Sequence, residues 1–213
     1  MQISAVLITH NEEDHVEAAL RSLEGVADEI VVIDSHSADR TVRIARKYTD
    51  RVIERTWTNY ADQKNFADAQ ARHLWILSLD ADERLSPELR DEILALKGTA
   101  PDCPAFSMPR RVFYLGRWIK HSGWYPDRRI RLFRRDAARW EGAYVHESLV
   151  LDGEARPLKG DIQHFTYRGI SDHVDRINQF SELGAQKLYA ARRKARWTRL
   201  VFLPPARFFK SYF

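Results

Sequence analysis

Residues 74–83 read LWILSLDADE, an apolar stretch running into two carboxylates, Asp80 and Asp82, one residue apart. In an extended segment alternate side chains share a face, so the pair can converge on one hard cation or one sugar nucleotide. Taken alone, Asp80-Ala81-Asp82-Glu83 reads equally as a polar turn closing a buried strand, with Ser86 and Pro87 as cap and first-turn proline of the next helix. Two upstream clusters tip the balance toward a site. Thr9-His10-Asn11-Glu12 follows one apolar run, and Asp34-Ser35-His36-Ser37 closes another, EIVVID.

The elements that must position these residues alternate. Residues 4–9, 29–34, 52–53 and 74–79 have strand character. Between them Val16, Ala19, Leu20 and Leu23 recur at helical spacing, Thr41, Ile44, Ala45 and Tyr48 do so after an Asp39 cap, and 60–72 reads as a third helix. Strands with crossover helices predict an α/β fold, a Rossmann-like sheet flanked by helices, with ligands outside the carboxyl ends of its strands. The three polar clusters fall at such ends. From Pro101 the pattern turns to short strands, aromatics and turns (AFSMPRRVFY, LGRWIKHSGW, RRIRLFRR, DIQHFTY), read as a second, hairpin-rich layer on the acceptor side. After Ser171 a long helix is expected, with Val174, Ile177, Ser181, Gly184, Ala185 and Leu188 as its inner stripe.

THNEE, DSHSADRT, QKNFA, LDADE and YVHE together resemble the inverting family 2 glycosyltransferases of GT-A fold. The layout, with RLFRR and the ending PPARFFKSYF, is similar to the lipopolysaccharide core β-1,4-glucosyltransferase group. The resemblance implies a nucleotide-diphosphate sugar donor, usually UDP-linked, and a divalent cation. It sets Thr9, His10 and Asn11, with Glu12, in the first nucleotide loop, and Asp34 at the first acid of an Asp-Asp-Gly-Ser pattern. Ser35 stands where that pattern has its second acid and His36 where it has glycine. Lys64 falls at a cation near the donor, and Asp80-Ala81-Asp82 matches Asp-x-Asp, the first acid reaching ribose or sugar and Asp82 the metal. A diphosphate leaving group concentrates negative charge, which magnesium or manganese held by carboxylates neutralises. Zinc has no support in one cysteine and scattered histidines.

Inverting transfer also requires a base for the acceptor hydroxyl. The resemblance places that acid at Glu147, which could otherwise be a solvated loop residue, and Glu141 is the reserve. His146 could bind metal or acceptor or simply pack, and His164 reads as structural. Of the arginines in DRRIRLFRR, Arg131 is the one expected to clamp donor phosphate, Arg128 and Arg129 being a solvated face. One or two of Trp118, Trp124, Tyr125 and Trp140 are expected at the acceptor cleft.

The chain of 213 residues, 44% hydrophobic, can bury one substantial core. We read 1–170 as a GT-A domain, with 1–100 its nucleotide-sugar half and 101–170 its acceptor half, and 171–213 as a C-terminal helix with a basic tail. Eight of the 34 lysines and arginines lie after Glu182, where no acidic residue follows, leaving 26 against 30 acids in residues 1–182. These cations interleave with Tyr189, Trp197, Phe202, Phe208, Phe209, Tyr212 and Phe213, a composition suited to an anionic membrane surface, or else to a packed helix necessarily broken at Pro204-Pro205. A lone cysteine and the lack of a signal-like or membrane-spanning run make a cytoplasmic location the expectation, and the tail with a lipid-linked acceptor makes it peripheral on the inner membrane's cytoplasmic face. The expected reaction moves a hexose, glucose from UDP-glucose, onto a lipopolysaccharide-core or other lipid-linked acceptor, with a polyprenyl-phosphate acceptor as alternative. A non-catalytic nucleic-acid or anionic-surface module would use the tail but leave the three polar strand ends idle, and carboxylates in the crevice would repel a polyanion.

Overall fold

The computed structural model describes residues 1–142, 147–167, 169–192, 194 and 197–212, without the side chains of Lys187 and of residues 210–212. Tyr144, Val145 and His146 of the YVHE motif lie outside it, as do Arg193, Arg196 and Phe213 of the tail. The first half runs β1 (Ile3–Thr9), α1 (Val16–Ser22), β2 (Glu29–Asp34), α2 (Thr41–Ala45), β3 (Val52–Glu54), α3 (Tyr60–Gln70), β4 (Trp75–Asp80), β5 (Glu83–Leu85) and α4 (Pro87–Lys97). The second runs β6 (Ala105–Tyr114), β7 (Arg117–Trp118), β8 (Asp127–Arg134), β9 (Ala138–Glu141), β10 (Ser148–Leu151), β11 (Ala155–Pro157), β12 (Ile162–His164), α5 (Ile170–Ala190) and α6 (Trp197–Tyr212).

The main sheet is mixed, in the order β3-β2-β1-β4-β8-β6-β12-β5, and β7 and β11 also pair with β6. The first four strands are parallel, whereas β8 is antiparallel to both neighbours. The period-two alternation of β1 explains the layering. Ile3, Ala5 and Leu7 enter one core with the apolar faces of α1 and α4, while Val6 enters the other with Ile33, Ile76, Ala67 of α3 and Phe133. α4 begins as its sequence dictates, with the Ser86 hydroxyl accepting from Leu89 N and Pro87 in the first turn. At α2 the Asp39 carboxylate accepts from Thr41 N, although Arg40 is the capping position.

Three expectations change. Among the described residues of 101–170, the expected second layer, β6, β8 and β12 instead extend the same sheet, β8 pairing with β4, β12 with β5 and β6 lying between them, while β9 and β10 form a separate two-stranded sheet. The expected inner stripe of α5 faces out, with Val174, Ile177 and Leu188 about half exposed, since the helix is fastened by its flank: His173 Nδ1 lies 2.9 Å from the Tyr114 hydroxyl. The expected break at Pro204-Pro205 is missing. α6 runs through both prolines, forgoing the backbone hydrogen bonds of two absent N–H groups. Among the described residues no helix is long and apolar enough to cross a membrane.

Candidate active site

Strand register brings the polar clusters together. Thr9 pairs with Asp34 and Ile8 with Asp80, so three strand ends meet along one edge of the sheet. They border a cavity of about 540 Å³ lined by Thr9, His10, Glu12, Ser35, Asp80, Ala81, Asp82 and Glu147 from the sequence-derived set. Asn11, Asp34, Lys64 and Arg131 do not line it. Asp34, Lys64 and Arg131 are buried, whereas Asn11 is exposed.

Asp34 is fully buried and its oxygens are spent on protein: Oδ1 accepts from the Thr9 and Ser37 hydroxyls and Oδ2 from Ser37 N. It ties two loops together. Asn11, at φ 55°, continues that tie by accepting from Ala38 N, and its own N–H donates to the Ser37 hydroxyl. His36 sits at φ 56°, a left-handed conformation that explains why a glycine suits this place. The Ser35 hydroxyl faces the cavity and accepts from Gln63 Nε2 at 3.0 Å.

The Asp-x-Asp segment is not extended. Asp80 ends β4, Ala81 and Asp82 turn, and Glu83 starts β5, yet both aspartates reach the same cavity. Asp80 is clamped between cations, Oδ1 accepting from Lys64 Nζ at 2.8 Å and Oδ2 from Arg131 Nη2 at 2.5 Å. Burial would raise its pKa, but Arg131 and Lys64 outweigh that and hold it well below the usual carboxylate range. Asp82 is lowered as well: burial raises it, and the hydrogen bond and charge of His164, whose Nε2 is 3.2 Å away, more than offset the burial. His164, read from the sequence as structural, also lines the cavity. β12 delivers it across 82 residues by pairing His164 with Glu83, while Phe165 N donates to Asp82 O.

Arg131 is buried, spends Nη2 on Asp80 and on Glu83, 2.7 Å away, and does not line the cavity, so it holds the acids in place. Its position follows from a register shift: Phe106 pairs with Leu132 but Ser107 with Ile130, which leaves Arg131 as the extra residue of a bulge and re-aims its side chain inward. Arg128 and Arg129 remain exposed. Glu83, absent from the sequence-derived set, is the fully buried hub, accepting from Arg131 and Asp80 N.

Glu147 lies 3.6 Å from Lys64 Nζ, whose ammonium also sits 4.5 Å from the Trp140 ring. Glu141, the reserve, is exposed and paired with Arg139 outside the cavity. The aromatic residues differ from those expected. Trp140 is buried with its Nε1 donating to Asp68, and Trp118 and Trp124 join clusters with Phe113, Phe165, Tyr114 and Tyr167. Trp57, Tyr60 and Phe180 line the cavity instead, together with Arg176 and Thr166. Burial, then Glu147 and Asp80, raise the Tyr60 hydroxyl pKa, keeping it neutral.

No group of three or more His, Cys, Asp or Glu among the described residues is placed to hold a metal. Asp82 nevertheless keeps Oδ1 without a hydrogen bond to the described residues. Magnesium is commonly bound by one or two carboxylates with substrate phosphates completing the shell, so this donor set fits a cation that arrives with a diphosphate.

The chain is similar to several known proteins. S. aureus TarS 1-349, solved in complex with UDP-GlcNAc, aligns over 80% of this chain and 60% of its own at 18% identity and TM-score 0.49. Glucosyl-3-phosphoglycerate synthase from Mycobacterium tuberculosis, solved with Mn2+, UDP and glucosyl-3-phosphoglycerate, aligns over 54% of this chain and 44% of its own at 23% identity and TM-score 0.41. Those ligands belong to those proteins. The lipopolysaccharide core biosynthesis glycosyltransferase LpsC of Rhizobium meliloti (strain 1021) is 31% identical across the whole of this chain and 81% of its own length. The model of glycosyl transferase family 2 matches residues 4–149. The chain belongs to glycosyl transferase family 2.

Proposed function

We propose that this glycosyltransferase moves a hexose, glucose from UDP-glucose, with inversion onto a lipid-linked saccharide of the lipopolysaccharide-core type at an anionic membrane surface. One observation carries the reading: the buried Lys64 ammonium binds Asp80 at 2.8 Å and lies 3.6 Å from Glu147, so an Asp-x-Asp acid and a candidate base face one cavity. The likeness to LpsC supports the acceptor class.

Thr9, His10, Glu12 and Ser35 form the nucleoside end, with Asn11 and Asp34 holding its loops. Small Ala81 lets the donor approach the turn, and Asp80 orients the sugar. Magnesium or manganese, when bound through Asp82, supplies charge neutralisation to the leaving diphosphate. Glu147 takes the proton of the acceptor hydroxyl as that oxygen bonds to the anomeric carbon. The bond from that carbon to the diphosphate oxygen breaks, its electron pair leaving on the diphosphate. Lys64 holds Glu147 toward the cavity.

The test is a pair of variants. Glu147→Gln keeps donor binding in thermal-shift measurements but loses about two to four orders of magnitude in turnover, the range for loss of a general base. Asp82→Asn loses about a thousandfold in metal-dependent turnover. Retention of wild-type turnover by Glu147→Gln removes it as the base, and retention by Asp82→Asn removes the site.

A further inference from the structure

Among the described residues the cavity has an acidic wall and one cation, Arg176, with unspent terminal nitrogens. Glu12, Asp80, Asp82 and Glu147 line it from the sheet side, while the two cations beneath them, Lys64 and Arg131, are engaged by Asp80 and by Glu147 or Glu83. Across from them stands α5. Its His173 is stacked on Tyr167 at 4.1 Å between ring centroids and bonded to Tyr114, which fixes the face carrying Arg176 and, one turn on, Phe180 toward the cavity. Arg176 is steadied by Nε, 3.3 Å from the Asp172 carboxylate, and by the Tyr167 ring 5.9 Å from its guanidinium carbon. Its terminal nitrogens have no partner among the described residues. Thr166 also lines the cavity.

We propose that Arg176, with Thr166, is the phosphate-binding subsite of the crevice, the role that Arg131 cannot fill because it is buried on Asp80 and Glu83. This rests on the crevice being the donor site. A guanidinium with two open terminal nitrogens matches two oxygens of a phosphate in bidentate geometry, and a partly desolvated wall strengthens the pairing. The phosphate is either the donor's diphosphate or one carried by the acceptor.

Titration calorimetry on the full chain with manganese separates the two sources. In the first arm UDP, GDP, ADP and CDP are each compared with their nucleosides, and in the second inorganic phosphate is titrated into protein saturated with the best-binding diphosphate. With the diphosphate as ligand, Arg176→Gln weakens the best diphosphate by about 10- to 100-fold, the range for a charge-assisted bond, leaves its nucleoside unchanged, and Arg176→Lys recovers part of the loss. With an acceptor phosphate as ligand, the diphosphate is unaffected and phosphate binding in the second arm disappears. A wild-type protein that binds a diphosphate well, paired with an Arg176→Gln variant unaltered in both arms, overturns the subsite and leaves the donor site standing. A wild-type protein that binds none of the diphosphates overturns the donor-site reading and the subsite with it.

Discussion

Asp68 illustrates how one buried acid sets a pH dependence. It lies beneath the site on α3, with Oδ2 accepting from Trp140 Nε1 and Oδ1 buried without a partner among the described residues. Burial raises its pKa from 3.8 to about 7, and the Trp140 hydrogen bond and Lys64 only partly oppose this. Between those two values the folded protein holds a proton that the unfolded chain has released. Stability attributable to Asp68 therefore falls as pH rises from about 4 to about 7 and levels off above. Asp68→Asn stays neutral throughout and can still accept from Trp140. Carboxyls held low, such as Asp80 and Asp82, act alike in both proteins and cancel in the difference. The unfolding free energy of the variant minus that of wild type should thus climb by a few kcal/mol between those pH values. Urea titrations at several pH values check this, and a flat difference refutes it. The sequence shows Asp68 on a helical segment but not its depth, since its cover, Trp140, arrives 72 residues later. Arg131 is a parallel case. The reading of RRIRLFRR singled it out as a phosphate clamp but did not show its burial, because the bulge that buries it is set by pairing with β6.

Elements that carry their own periodicity were legible, and those defined by a distant partner were not. β1, β2, β4, α3 and the Ser86-Pro87 start of α4 lie within a residue or two of the positions read from alternation, helical spacing and capping. β5 and β12 are three residues each and exist through pairing with distant strands, β5 with β12 and β12 also with β6, so the turn shape of Asp80-Ala81-Asp82 and the arrival of His164 were beyond a local reading. Their docking onto α4 depends on Gly160. A Cβ there would lie 2.4 Å from the backbone N and Cα of Leu89, a contact that flexible side chains cannot relieve. The same junction is stitched by Ser86 N donating to Asp161 O and by Lys159 N and Gly160 N donating to Glu92. Gly160→Ala must separate α4 from the chain entering β12, and overpacking of this kind destabilises by about 1–3 kcal/mol. The displacement also moves His164 relative to Asp82. Urea unfolding is expected to show the loss, and Gly169→Ala, where a Cβ meets nothing within 4 Å, serves as the control. Equal stability of the two variants contradicts the close approach.

At the scale of the whole molecule, charge and apolar surface are both unevenly distributed. Residues 1–182 are net acidic by four charges and the remainder carries eight cations without an acid. Of those cations Arg192, Lys194, Arg199 and Arg207 are described, and all are exposed. So are the aromatics, with Trp197 70%, Phe202 64% and Phe209 59% accessible, which counts against their being core. At 3.6 residues per turn Trp197, Val201 and Phe208 fall on one stripe of α6, with Phe202 and Phe209 beside it and Arg199 and Arg207 toward the other side. A helix of that pattern suits the plane of an anionic bilayer surface, its rings at headgroup level and each cation adding about 1 kcal/mol. α5 also exposes Val174, Ile177 and Leu188, on the same helix that places Arg176 and Phe180 at the cavity. A lipid-linked acceptor would thus be met beside the crevice. Co-sedimentation with anionic liposomes should be strong at low salt, weaken as salt rises, and vanish on deletion of 192–213, which removes seven of the eight cations. The deletion spares every strand and the His173–Tyr114 anchor, so its thermal unfolding and diphosphate binding should match the full chain. Undiminished liposome binding by the truncated chain would exclude α6 as the membrane contact, and binding insensitive to salt would exclude the cations as its cause.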